Sequence, residues 1–210
     1  MKRVLYFHGF ASSPASAKIA ALRPLLEPFE IELDTPDLNV PSFEELDFDA
    51  IVDHAVNVAR ERSHVAIVGS SLGALIALSV AKRGFALPLV LIAPALGVAR
   101  RWSEHIPDGD PVRVFNFARN ADAFIHRKFF LQMATLHVDD DPPPSRVTAL
   151  MGRKDETVPF FIVEETWQSW EAKSLVAGSK FIELPEGDHG LVDEAEIIRD
   201  AIVEATEVQA

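Results

Sequence analysis

The chain has no cysteine in its 210 residues, which excludes disulfides, a thiolate metal site and a cysteine nucleophile while leaving the compartment open. It also has no long apolar run. The start, MKRVLYFHGF, carries two basic residues but too short an apolar stretch before His8 and Gly9 to form a signal-peptide core. The longest uncharged span, Gly84 to Ala99, is interrupted by Pro88 and Pro94 and falls short of a membrane crossing. Positive charge is scarce as well: 20 Lys and Arg stand against 32 Asp and Glu, for a formal net charge of −12. Basic residues are scattered rather than gathered in a stripe, so a nucleic-acid partner is excluded and neutral or cationic substrates are favoured over anionic ones. A soluble cytoplasmic protein is expected, of no stated oligomeric state.

What the sequence does have is apolar material, 48% of residues, enough for one sizeable core over residues 1–210. Six short β-like runs (Val4 to Phe7, Ile31 to Thr35, Val65 to Val68, Leu89 to Ala93, Val147 to Met151, Phe181 to Leu184) alternate with helical patterns near 14–26, 43–62, 72–83, 159–175 and 191–206. Continuous apolar strands in such alternation predict a parallel sheet covered by helices on both faces. One segment departs from the pattern. About fifty residues, 96–145, separate the fourth run from the fifth, too many for a simple connection. They contain Trp102, Phe115, Phe117, Phe124, Phe129, Phe130 and Met133, which argues for a small helical cap over the carboxyl edge of the sheet. Its aromatics either line a pocket or glue the cap to the core. Trp102, Phe124 and Phe130, with Val158 beyond the cap, are the substrate-pocket candidates. The acidic, proline-rich stretch Asp139 to Ser145 reads as a stiff, solvated return to the sheet.

Within this frame the most informative stretch is His64 to Lys82, HVAIVGSSLGALIALSVAK. An apolar β-branched run enters Gly69-Ser70-Ser71-Leu72-Gly73 and passes directly into a helical pattern. Strand, sharp turn and helix with a serine at the apex make a nucleophile elbow, the glycines allowing a strained turn and close helix packing. A serine that only caps the helix is the plainer alternative.

A serine hydroxyl is a weak nucleophile at neutral pH and needs a base, itself oriented by a third group. The turn after the fifth strand, Met151 to Pro159, carries Asp155, with Glu156 as a competitor. The loop after the sixth strand, Pro185 to Gly190, carries His189 between glycines. The order Ser71, Asp155, His189 is that of α/β-hydrolases. His8 follows a strand too, but beside Gly9 and Phe10 it suggests a different use. His105, His126 and His137 fall in the cap and could touch substrate; no ligand pair at metal spacing accompanies them, so no metal is expected. Oxyanion stabilisation would come from the backbone N–H of Leu72, at the helix start, and that of Phe10 in the loop after the first strand.

Together, HGFASSP, GSSLGA, GRKDETVP and GDHG resemble the α/β-hydrolase superfamily, and more narrowly the small bacterial esterases of the YqiA type. The resemblance covers nearly the whole chain. It implies cofactor-free hydrolysis of carboxylic esters, with Ser71 as nucleophile, Asp155 as acid and His189 as base, on a six-stranded sheet in the order 2-1-3-4-5-6. Two departures stand out: the chain lacks the initial antiparallel strands of larger members, and its cap carries no motif tied to a substrate class. The same triad could serve amide, thioester or peroxyacid substrates. A peptidase would need cap acids such as Glu104, Asp108, Asp110 or Asp122 for a substrate ammonium, and a non-catalytic ligand-binding homologue would need only the pocket.

Overall fold

In the computed structural model, residues 1–104 and 106–208 are described; His105 lies outside them. Six strands form one parallel sheet: β1 (Lys2–Phe7), β2 (Ile31–Asp34), β3 (Ala66–Ser70), β4 (Leu89–Ile92), and two further strands after the cap, β7 (Val147–Gly152) and β8 (Lys180–Leu184). Their spatial order is β2-β1-β3-β4-β7-β8, which in sequence order is the 2-1-3-4-5-6 arrangement. Central strands have no solvated face, which is why they read as unbroken apolar runs: β3, β4 and β7 are buried at every position.

Alternation along each strand sorts the core into two halves. Leu5, Phe7 and Ile67 point to the face covered by α2 (Phe48–Glu61), α3 (Leu72–Lys82) and α6 (Phe160–Ala172). Val4, Tyr6 and Val68 point to the opposite face, covered by α1 (Ala17–Leu26) and α7 (Ala195–Glu207). Helix α2 shows how local chemistry sets an element: the Asp47 side chain accepts the Asp49 and Ala50 N–H groups at its start, and Phe48, Ile51, Val52, Ala55, Val56 and Ala59 form one inward stripe. Helix α3 is apolar all round and buried from Leu72 to Ala81, as a helix enclosed between sheet and neighbours must be.

The cap differs from the sequence expectation. It is not purely helical: α4 (Val98–Glu104) and α5 (Arg127–Ala134) flank an antiparallel hairpin of β5 (Val112–Asn116) and β6 (Ala121–Ile125). Val112, Asn116, Ala123 and Ile125 face inward while Arg113, Phe115, Asp122 and Phe124 face solvent, the half-buried alternation of a two-stranded sheet. The return segment also differs. Asp139 is not solvated but 4% exposed, and its Oδ2 accepts the Gly97 N–H at 2.6 Å. Burial raises its carboxyl above the ordinary aspartate range, the Gly97 bond opposing. Among the described residues no helix is long and apolar enough to cross a membrane.

Candidate active site

The parallel register brings several strand ends to one edge. Phe7 lies opposite Gly69, Ser70 opposite Ile92, Ile92 opposite Leu150, and Gly152 opposite Leu184, so the residues that follow share the carboxyl edge of the sheet. Ser71 stands there at φ 54° and ψ −118°, a conformation that costs a non-glycine residue of order 1–3 kcal/mol and persists only when its surroundings enforce it. The enforcement is visible. The Ser71 N–H donates to the Ile92 carbonyl at 2.9 Å, and the Ser71 carbonyl accepts Ala74 and Ala95 N–H groups at 3.0 and 3.2 Å. Glycine is required two residues on, because a Cβ at Gly73 would lie 2.7 Å from the Phe7 carbonyl carbon and 2.8 Å from the His8 oxygen. The Ser71 side chain makes no helix-cap bond, which removes the simple capping role.

Its hydroxyl instead meets a histidine. Ser71 Oγ and His189 Nε2 are 3.0 Å apart, and His189 Nδ1 lies 2.7 Å from Asp155 Oδ2. The Asp155 carboxylate is fully enclosed. Its second oxygen, Oδ1, accepts the Thr157 and Val158 N–H groups at 2.8 Å each, so the acid is clamped by its own loop and holds the imidazole with the Nδ1–H tautomer. Glu156 is exposed and takes no part. Val158 is 1% exposed and serves this loop through its backbone.

On the other side of Ser71 the loop after β1 passes close by, with the position of a Gly9 Cβ only 3.2 Å from Ser71 Cβ. The N–H groups of Phe10 and Leu72 follow Gly9 and Ser71 directly, and among the described residues neither donates to a protein acceptor. The loop is held from behind by a residue whose part the sequence left open. His8 is 3% exposed; its Nε2 accepts the Leu38 N–H at 3.1 Å and its Nδ1 lies 2.9 Å from the Gly9 carbonyl. Burial holds this imidazole below the ordinary histidine value, consistent with a neutral ring that donates once and accepts once. From the front, the Phe10 ring stacks on Phe129 with centroids 5.6 Å apart and meets Phe130 edge-on at 6.2 Å.

The pocket candidates are therefore divided. Phe130 is 1% exposed and Trp102 packs on it at 4.9 Å, both within the aromatic cluster that seats the cap on the loop after β1. Phe124 is 52% exposed on the outward face of β6, opposite Arg113, and is not brought to the serine. His126 lies at the surface between Asp110 and Glu45, and His137 pairs with Asp140. A groove of about 660 Å³ between α4, α5 and α6 is lined by Gly97, Arg100, His137 and Asp139 among others and includes none of Ser71, Asp155 and His189. Chemistry, not volume, marks the site. Two cations within electrostatic reach of Asp155 were missed by sequence reasoning: Arg101 of α4, whose guanidinium donates to the Thr157 carbonyl, and Lys18 of α1.

Comparison with known proteins adds a family and a set of folds. Residues 3–202 match the Uncharacterised protein family (UPF0227). The chain belongs to that family. Its fold is that of the α/β-hydrolases: it superposes on Est1E from Butyrivibrio proteoclasticus with ferulic acid bound at a TM-score of 0.75 and 16% identity, covering 99% of this chain and 90% of that one. A monoacylglycerol lipase from Paleococcus ferrophilus gives 0.71 at 14% identity, over 98% and 94% of the two chains. Mouse alpha/beta hydrolase domain-containing protein 10 gives 0.70 at 16%, over 96% and 88%. No curated protein matches the sequence.

Proposed function

We propose that this UPF0227 member is a serine hydrolase that cleaves carboxylic esters of small or medium acyl groups through an acyl-enzyme on Ser71, without a cofactor. The observation that carries the reading is the unbroken relay from Ser71 Oγ to His189 at 3.0 Å and from His189 to Asp155 at 2.7 Å. Ser71 O–H donates to Nε2, and as the oxygen attacks an ester carbonyl carbon its proton passes to that nitrogen. The Nδ1–H keeps donating to Asp155, whose carboxylate stabilises the imidazolium. The proton then goes to the departing alkoxide, and water, deprotonated by the same nitrogen, releases the acyl group. The Phe10 and Leu72 N–H groups supply the oxyanion site, each such donor being worth about 3 kcal/mol.

Two neighbours in fold, Est1E with its bound ferulic acid and the Paleococcus lipase, are named for carboxylic chemistry, in keeping with an ester substrate. Of the cap acids an aminopeptidase would use, Asp110 is engaged by the Arg127 N–H and His126 and Asp122 by Arg113, while Glu104 and Asp108 are exposed. The test is hydrolysis of a p-nitrophenyl acetate-to-octanoate series with fluorophosphonate labelling. Labelling at Ser71 and its loss in Ser71→Ala, with turnover down by about 10⁴ to 10⁶, is the expected result; turnover unchanged in Ser71→Ala refutes the mechanism.

A further inference from the structure

Lys18 sits on the inward stripe of α1, four and eight residues before Leu22 and Leu26, both of which are core. Its Nζ donates to Ser70 Oγ at 2.9 Å. Ser70 ends β3 with its side chain buried on the α1 and α7 side of the sheet, so the ammonium touches the elbow from behind, one residue from the nucleophile.

The fold does not demand a cation there. A methionine would fill the space without the desolvation penalty of a charge, and one serine hydroxyl returns little of that penalty. The compensation comes from the triad end of the molecule. Asp155 from the loop after β7, Asp188 from the loop after β8 and Glu194 at the start of α7 all lie within electrostatic reach of Lys18. The Tyr6 hydroxyl on β1 completes the surroundings: it is fully buried beside Ser70 without an aligned hydrogen bond, and burial pushes its phenol well above the ordinary range. Desolvation pushes the Lys18 ammonium down to about 8 against the pull of the three carboxylates. Lys18 is partly buried, and ionisable groups perturbed in this way by such partners cluster at functional sites.

We propose that Lys18 is a positioning residue for hydrolysis at Ser71: its ammonium, fixed on Ser70 behind the elbow, holds the strained serine in line with His189. The inference rests on the serine-hydrolase reading above. Tying the Ser70 side chain fixes the 70–71 peptide, and with it the direction of Ser71 Oγ.

The experiment is a pH profile of kcat and kcat/KM from pH 5 to 10, with p-nitrophenyl butyrate, for wild type, Lys18→Met and Lys18→Arg, alongside fluorophosphonate labelling of each. Lys18→Met is expected to lower kcat roughly ten- to hundredfold with KM within about threefold. Wild type should lose activity as Lys18 deprotonates near pH 8, and Lys18→Arg, which keeps its proton, should extend the plateau. Superimposable profiles for wild type and Lys18→Met overturn the proposal, as does a loss in Lys18→Met that is uniform in pH. If Lys18→Met does not fold, Lys18→Arg decides: an alkaline limb still near pH 8 overturns the role. A wild type that neither labels nor turns over ester counts against the hydrolase reading itself.

Discussion

The imidazole of His8 accepts the Leu38 N–H at 3.1 Å, tying the loop that carries Phe10 to the segment after β2. Because burial depresses this histidine, with Asp37 at 3.7 Å pulling the other way, the unfolded chain takes up a proton here before the folded one does. The stability His8 contributes is therefore complete above the ordinary value of about 6.5 and drains away as pH falls below it, until the folded ring itself titrates. Urea unfolding between pH 7.5 and 5 should show that loss in wild type. His8→Ala should be weaker at pH 7.5 by about 1–3 kcal/mol, the cost of an orphaned Leu38 N–H, and should lose less between the two pH values. A variant with the wild-type pH slope would place the loss elsewhere.

Asp155→Asn keeps an Oδ1 that can accept the Thr157 and Val158 N–H groups but turns a donor toward His189, which favours the wrong tautomer. Ester turnover should fall about 10⁴-fold, while thermal unfolding moves by only a few degrees. Collapse of the fold together with activity would instead show that the carboxylate is mainly structural.

Gly73→Ala inserts a Cβ against the backbone of Phe7 and His8, with nearby atoms at 2.7 and 2.8 Å. Backbone cannot yield as a side-chain tip can, so a destabilisation of about 3 kcal/mol or more is expected, read by urea or thermal unfolding. Wild-type stability would mean that β1 and α3 are not in the close contact described.

Phe130 and Phe124 should behave oppositely although both are cap phenylalanines. Phe130→Ala removes a fully buried ring from the cluster with Phe10, Phe129 and Trp102 and should cost about 3–5 kcal/mol. Phe124→Ser, on the solvent face of β6, should stay within about 0.5 kcal/mol and leave kcat/KM for butyrate unchanged. A selective loss of activity in Phe124→Ser would show that the hairpin face touches substrate.

The central strands are legible because burial on both faces leaves unbroken apolar runs, whereas the edge strands Ile31–Asp34 and Lys180–Leu184 carry Glu32 and Glu183 and are marked by their place in the alternation. Ser71, Asp155 and His189 stand out as a candidate set because a parallel sheet delivers the loops after its strands to one edge, so they had only to follow separate strands. The cap hairpin escaped notice because β5 and β6 place Phe115 and Phe124 on the solvent side, inverting the polarity that alternation normally signals. Asp139 was hidden because its acceptor role depends on Gly97, some forty positions earlier in sequence. Lys18 did leave a signal, a lysine at helical spacing from Leu22 and Leu26. Its partner Ser70 lies on another element, and only the folded chain joins the two.

The bond between Asp139 and Gly97 brings the two ends of residues 97–139 together, and from Asp139 the chain crosses back to enter β7 beside the start of β4. Everything between is a bud on a closed neck, so residues can be added or removed there without shifting the register of the strand that follows. Residues can therefore be exchanged in that bud while the sheet and the loops that carry Ser71, Asp155 and His189 stay the same.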